Sequence, residues 1–175
     1  MRLSNNSARR TLLNFLTFYS KKDLLRLLRI VLKYIRCSWN DKLLLLYVFF
    51  LLAIVRLLIV LVPFRYITTY LGKHMQESPY ADDNENIFIN QVGWAILAVS
   101  RHTPFESKCL VQAITGKILL RRRHLKNTMY LGVAKNLENQ MMAHAWLRSG
   151  NVIVTGGDIS NKFTVVAKFA DVESG

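Results

Sequence analysis

The chain has 175 residues, 51% of them hydrophobic, enough for one domain with an appendage but not for two full domains. Its charge is lopsided: residues 1–74 carry 13 Lys and Arg against 2 Asp and Glu, whereas residues 75–175 carry 11 against 9. Basic charge gathered on an apolar N-terminal third argues against a nucleic-acid binder and for an acidic partner or a membrane surface. Two isolated cysteines, Cys37 and Cys109, exclude a disulfide framework and a paired zinc site.

In chain order, residues 1–20 are polar and mixed, with a short helix over residues 11–19 and no secretory signal, so a cytoplasmic location is expected. Residues 22–36 form a basic amphipathic helix: Arg26, Arg29, Lys33 and Arg36 make one stripe, and Leu24, Leu28, Val31 and Ile35 another. Such a helix suits a solvated face, or one lying on anionic lipid or on an acidic peptide. Ser38-Trp39-Asn40-Asp41 resembles a capping box, and residues 43–62 are apolar except for Arg56. Twenty helical residues match the ~30 Å hydrocarbon core of a bilayer. Arg56 leaves only thirteen uninterrupted apolar residues, so a helix packed into the domain or lying against a membrane is expected before a true span. Pro63 ends it, and Phe64-Arg65-Tyr66 follows.

Gly72, Ser78-Pro79 and the acidic Asp82, Asp83 and Glu85 mark residues 72–86 as a linker or loop, dividing an extension (1–74) from a core (75–175). Residues 87–100 read as a buried helix weakened at Gly93, and residues 108–123 as a second, with Ser107 as N-cap. The cations Arg121-Arg122-Arg123 suit that helix's C-terminal end. Strands follow over residues 128–135, 141–148, 151–155 and 162–170, with a tight turn at Ser149-Gly150. Thr155-Gly156-Gly157-Asp158 is a bend and not a phosphate loop, since no GK[ST] follows.

The chemistry centres on Cys109 at a helix start and His144 on a strand 35 residues later. A thiol in a helix's first turn faces the positive end of the dipole, which favours the nucleophilic thiolate. A strand histidine supplies a general base, and Asp158 is the carboxylate best placed to accept its second ring N–H. The oxyanion hole would use the Cys109 backbone N–H and a second donor, with Gln91 as candidate. Glu106 lies closer to Cys109 in sequence, but is expected on the surface. His74, His102 and His124 lack metal-ligand spacing, so no metal is expected.

Cysteine on a helix followed by histidine on a strand is the order of papain-like and transglutaminase-like folds. The fold class expected is therefore α+β: an antiparallel sheet bearing histidine, a helix bearing cysteine, and an N-terminal helical extension. Ser107-Lys108-Cys109-Leu110, Leu119-Leu120-Arg121-Arg122, Leu131-Gly132-Val133 and His144-Ala145-Trp146-Leu147 before Gly150 resemble the B protein of lasso-peptide biosynthesis, in its stand-alone leader-peptidase form. Leu43–Leu46, Pro63-Phe64-Arg65 and Leu71-Gly72 resemble that family's N-terminal extension.

The resemblance implies a cysteine peptidase that cuts the leader from a lasso precursor peptide, with Cys109 as nucleophile and His144 as base. It also implies a separate leader-recognition protein and an asparagine-synthetase-like cyclase, through which any ATP requirement would act; no cofactor is expected on this chain. In other members an aspartate lies five residues after the hairpin glycine, where this chain has Thr155, so Thr155 with a backbone carbonyl is the alternative to Asp158 in orienting His144. Two further readings stand beside the peptidase: a transglutaminase-like acyltransferase and a non-catalytic, membrane-associated peptide-binding protein.

Overall fold

The computed structural model describes residues 38–80 and 86–172. The expected helices over residues 11–19 and 22–36, together with Cys37 and the acidic Asp82, Asp83 and Glu85, lie outside the described residues. The chain divides into two compact units, Met1–Lys42 and Leu43–Gly175, and apart from residues 38–42 the architecture below belongs to the second.

Helix α1 (Trp39–Leu61) starts at the expected cap, where the Asp41 backbone N–H donates to Ser38 Oγ at 3.3 Å, and it stops short of Pro63. The missing N–H of Pro63 and its ring prevent the helix from continuing. Val48, Leu51, Leu52 and Val55 are buried at i, i+3, i+4 and i+7, so one stripe of α1 belongs to the core. A short helix α2 (Phe64–Thr68) follows. Helix α3 (Asn86–Ser100) buries Ile89, Val92, Ala95 and Ile96. Gly93, which weakens the helix by propensity, is needed here: a Cβ on it would lie 2.6 Å from the Val154 carbonyl oxygen. Helix α4 (Cys109–Arg121) completes the helical layer.

Five strands form one antiparallel sheet in the order β1-β5-β2-β3-β4: β1 (Lys73–His74), β2 (Asn127–Lys135), β3 (Met141–Ser149), β4 (Val152–Thr155) and β5 (Thr164–Asp171). A 3-10 turn, Gly157–Lys162, links β4 to β5. Period-two alternation gives the sheet two buried faces. Met129, Ala145, Leu147 and Phe169 join the helices in the hydrophobic core, whereas Tyr130, Trp146 and Arg148 are buried on the opposite face.

Of the expected linker or loop, residues 72–80 are a loop packed on the sheet. Lys73 and His74 pair with Ala170 and Phe169, and Glu77 to Tyr80 form a strap over the second face of the sheet. Ser78 is buried there, its N–H donating to Thr128 Oγ1 at 2.8 Å. Arg148, 3% exposed, donates to the Ser78 and Gly150 carbonyls, pairs with Glu77 at 3.2 Å and lies 3.8 Å over the Tyr80 ring. Burial alone would raise the Glu77 pKa, but hydrogen bonds from Lys168, Tyr130 and Tyr80 outweigh it and hold the carboxyl down at about 2. The second compact unit begins at Leu43, and both α1 and β1 supply parts of it.

Helix α4 gives its charged residues specific partners. Lys117 is 1% exposed and donates to Asn127 Oδ1 at 2.8 Å and to the Phe169 carbonyl, with Asp171 at 3.1 Å. Burial pulls its pKa down to about 8 against the attraction of Asp171. The three arginines at the helix end are also placed individually. Arg121 grips both oxygens of Asp171 and the Tyr70 carbonyl, while Arg122 lies over Tyr47 and Arg123 over Phe88.

Candidate active site

Cys109 opens α4 as its first helical residue, a half-buried free thiol packed at the margin of the core. The N-cap is Lys108, extended at φ −73° and ψ 174°, and its side chain makes no capping bond. Ser107, expected in that role, instead shares a 2.8 Å hydrogen bond with Thr103 Oγ1, and its carbonyl accepts from Gln112 Nε2 at 2.7 Å. These contacts fix the loop that delivers Cys109 to the helix dipole. Glu106 is exposed as expected and paired: Lys108 at 3.1 Å and Arg56 at 3.0 Å surround it, and the Lys108 hydrogen bond leads in lowering its pKa.

His144 lies on β3, opposite Gly132 of β2. Its ring is held between Trp146, stacked at 5.9 Å, and Phe163, tilted at 5.0 Å. Trp146 in turn stacks on Tyr130 at 5.3 Å, so a row of rings runs from the Arg148–Glu77 cluster to the imidazole. The polar partner of His144 Nε2 is the Gly156 carbonyl oxygen at 2.8 Å. A carbonyl only accepts, so Nε2 carries the proton, and in the neutral ring Nδ1 is the free base.

Neither side chain expected to orient the ring does so. Asp158 is exposed in the 3-10 turn and makes no hydrogen bond or ion pair among the described residues. Thr155 is buried with its hydroxyl unpaired. Gly156 brings its carbonyl to the ring at φ +72°, a left-handed conformation that L side chains rarely adopt. A Cβ there would lie 2.5 Å from the Ala145 carbonyl and 3.1 Å from His144 Nε2. The only sequence trace of this contact is the Gly156-Gly157 doublet, because a backbone acceptor carries no side-chain signature.

The two candidate residues sit on elements packed together. Gly116, two turns along α4 from Cys109, faces Leu147 of β3 and Thr155 of β4; a Cβ on it would be 2.7 Å from Leu147 Cδ2 and 3.9 Å from Thr155 Cγ2. Alternation, however, puts His144 with Trp146 and Arg148 on the face that α4 does not cover. β4 pairs with β3 only from Leu147 to Ser149, and beside His144 the Gly156 backbone lies against β3 instead. Among the described residues, no hydrogen bond joins the His144 ring to Cys109 Sγ. Gln91, the candidate oxyanion donor, is half-buried on α3.

The sheet, the cysteine-bearing helix and the histidine-bearing strand agree with the comparison to known families. Residues 58–168 match the model of the transglutaminase-like superfamily, and the chain belongs to that superfamily. Its members are in general cysteine proteases or acyltransferases, and the fold is compatible with either chemistry. No curated protein and no solved structure matches the chain.

Proposed function

We propose that this chain is a cysteine peptidase that removes the leader from a lasso precursor peptide. The observation that supports the reading is Cys109 as the first residue of α4, a helix packed through Gly116 on the strand that carries His144, whose Nε2 is bonded to the Gly156 carbonyl. Support for the particular substrate is the resemblance of the Cys109, His144 and Pro63 segments to the lasso B proteins. His144 Nδ1 takes the thiol proton as Cys109 Sγ attacks the carbonyl at the leader–core junction. The imidazolium then gives that proton to the departing amine, leaving a thioester on Cys109, and water releases the acid in a second, mirrored step. The Cys109 backbone N–H, unpaired in the helix's first turn, faces the developing oxyanion. A separate recognition protein presents the leader, and an asparagine-synthetase-like cyclase takes the core peptide and consumes ATP, all in the cytoplasm.

Membership of a superfamily that includes acyltransferases favours one alternative, transfer of the same thioester to an amine instead of water. Mass spectrometry of a lasso precursor incubated with this protein, a recognition protein and the cyclase with ATP separates the outcomes. A leader fragment from wild type and none from Cys109→Ala is expected. An amide adduct formed when a primary amine is supplied would identify the transferase, and an intact precursor in every reaction would leave a peptide-binding protein.

A further inference from the structure

Among the described residues, α1 is the helix long and apolar enough to cross a bilayer, yet its packing argues against crossing. Val48, Leu51, Leu52 and Val55 are buried in the hydrophobic core, and Leu44, Leu45, Tyr47 and Ile59 pack against it. One side of the helix is thus attached to the folded domain over about four turns. A span would drag the charged surface of that domain into hydrocarbon, where each charge costs several kcal/mol. The single charge within the apolar stretch, Arg56, is turned to the domain and bonded to Glu106, in the loop that precedes Cys109. Phe49 meets Phe105 of the same loop at 5.9 Å.

The other side of α1 is apolar and uncovered within its unit. Leu43, Leu46, Phe50, Ile54, Leu57 and Leu61 recur at i+3 and i+4 spacing, each at least half exposed. Such a stripe, about 27 Å long at 1.5 Å per residue, exceeds what a soluble monomer ordinarily leaves wet. Aromatic–cation pairs mark both ends of the apolar stretch: Lys42 lies 4.9 Å over Trp39, and Arg65 lies 4.7 Å over Tyr66. Both aromatics are exposed, and such side chains favour the headgroup layer. The excess of 13 basic over 2 acidic residues in residues 1–74 complements an anionic lipid surface.

We propose that α1 seats the protein in the plane of an anionic bilayer, its Leu43–Leu61 stripe in the acyl boundary and its core-packed side facing the aqueous phase. The helix is a monotopic anchor and not a transmembrane span. The contacts of Phe49 and Arg56 with residues 105 and 106 couple this anchor to the loop that leads into Cys109, so the site keeps a fixed orientation to the surface.

The test uses the full chain. Flotation with vesicles of equal phosphatidylcholine and phosphatidylglycerol should carry wild type up the gradient, and vesicles of phosphatidylcholine alone should carry less. Phe50→Glu with Ile54→Glu should reduce partition at least about tenfold with an unchanged thermal melt. A wild type that stays at the bottom would overturn the proposal, as would a double variant that still floats. So would a lipid-free wild-type dimer that the double variant dissociates, or a double variant that unfolds, since the stripe would then be covered by protein. Wild-type topology is read independently by placing single cysteines at Lys42 and Arg65 in a Cys37→Ser, Cys109→Ala background. An impermeant maleimide should label both from the same side of the membrane; labelling from opposite sides would establish a span.

Discussion

Among single residues, Gly156 holds the imidazole: its carbonyl is the polar partner of the His144 ring among the described residues. In a Ser-His-Asp arrangement that position belongs to a carboxylate, which also stabilises the imidazolium. A carbonyl fixes the tautomer but contributes less charge. Gly156→Ala forces a side chain into a left-handed backbone and against Ala145, so the carbonyl must move. Because ångström-scale misplacement of catalytic groups costs up to about a hundredfold, cleavage by this variant should fall by that order while the protein stays folded. Asp158→Asn, an exposed change, should leave the rate within about twofold, a surface-sized effect. Rate assays on the two purified variants check the assignment, and the reverse pattern would restore Asp158 to the site.

Cys109 and His144 were legible because they are side chains of known chemistry in a known order. The Gly156 acceptor was not, since a carbonyl is the same on every residue and only the φ of +72° makes this one reach the ring. Lys117 hid for a related reason. A lysine in an apolar helix reads as a solvated position until a carboxylate from a distant strand, Asp171, is seen to meet it.

At the scale of elements, helices α1, α3 and α4 and strands β2 to β5 followed from hydrophobic period and turn residues, within a few residues at each end. The strap over residues 77–80 did not, because Gly72 and Ser78-Pro79 punctuate a covering loop and a linker alike. Its stability depends on pH with a definite sign. Glu77 is lowered from 4.5 to about 2, so its contribution is present above pH 4.5 and is lost as pH falls towards 2. The stability difference between wild type and Glu77→Gln, from urea midpoints, should therefore be largest near neutrality and shrink across that acid window. The same scale explains Gly93, which helix propensity marks as a weakness and packing marks as a necessity. Gly93→Ala drives a methyl against the Val154 carbonyl and should destabilise by about 1–3 kcal/mol, as overpacking does, despite the better helix former. A higher melting temperature for this variant would contradict the packing of α3 on β4.

Across the whole molecule, the core helices lie on one face of the sheet and the strap on the other, and His144 sits where the β3–β4 ladder stops and the Gly156 backbone lies against β3. The proposed function requires Cys109 and His144 to act as a pair. It is tested without a substrate by the rate at which iodoacetamide alkylates Cys109, followed by peptide mass spectrometry near neutral pH in wild type and His144→Ala. A working pair predicts fast alkylation that falls at least about tenfold when the imidazole is removed, in line with the usual contribution of a general base. Equal rates in the two proteins would show that the thiol and the imidazole do not meet, and would contradict the catalytic account.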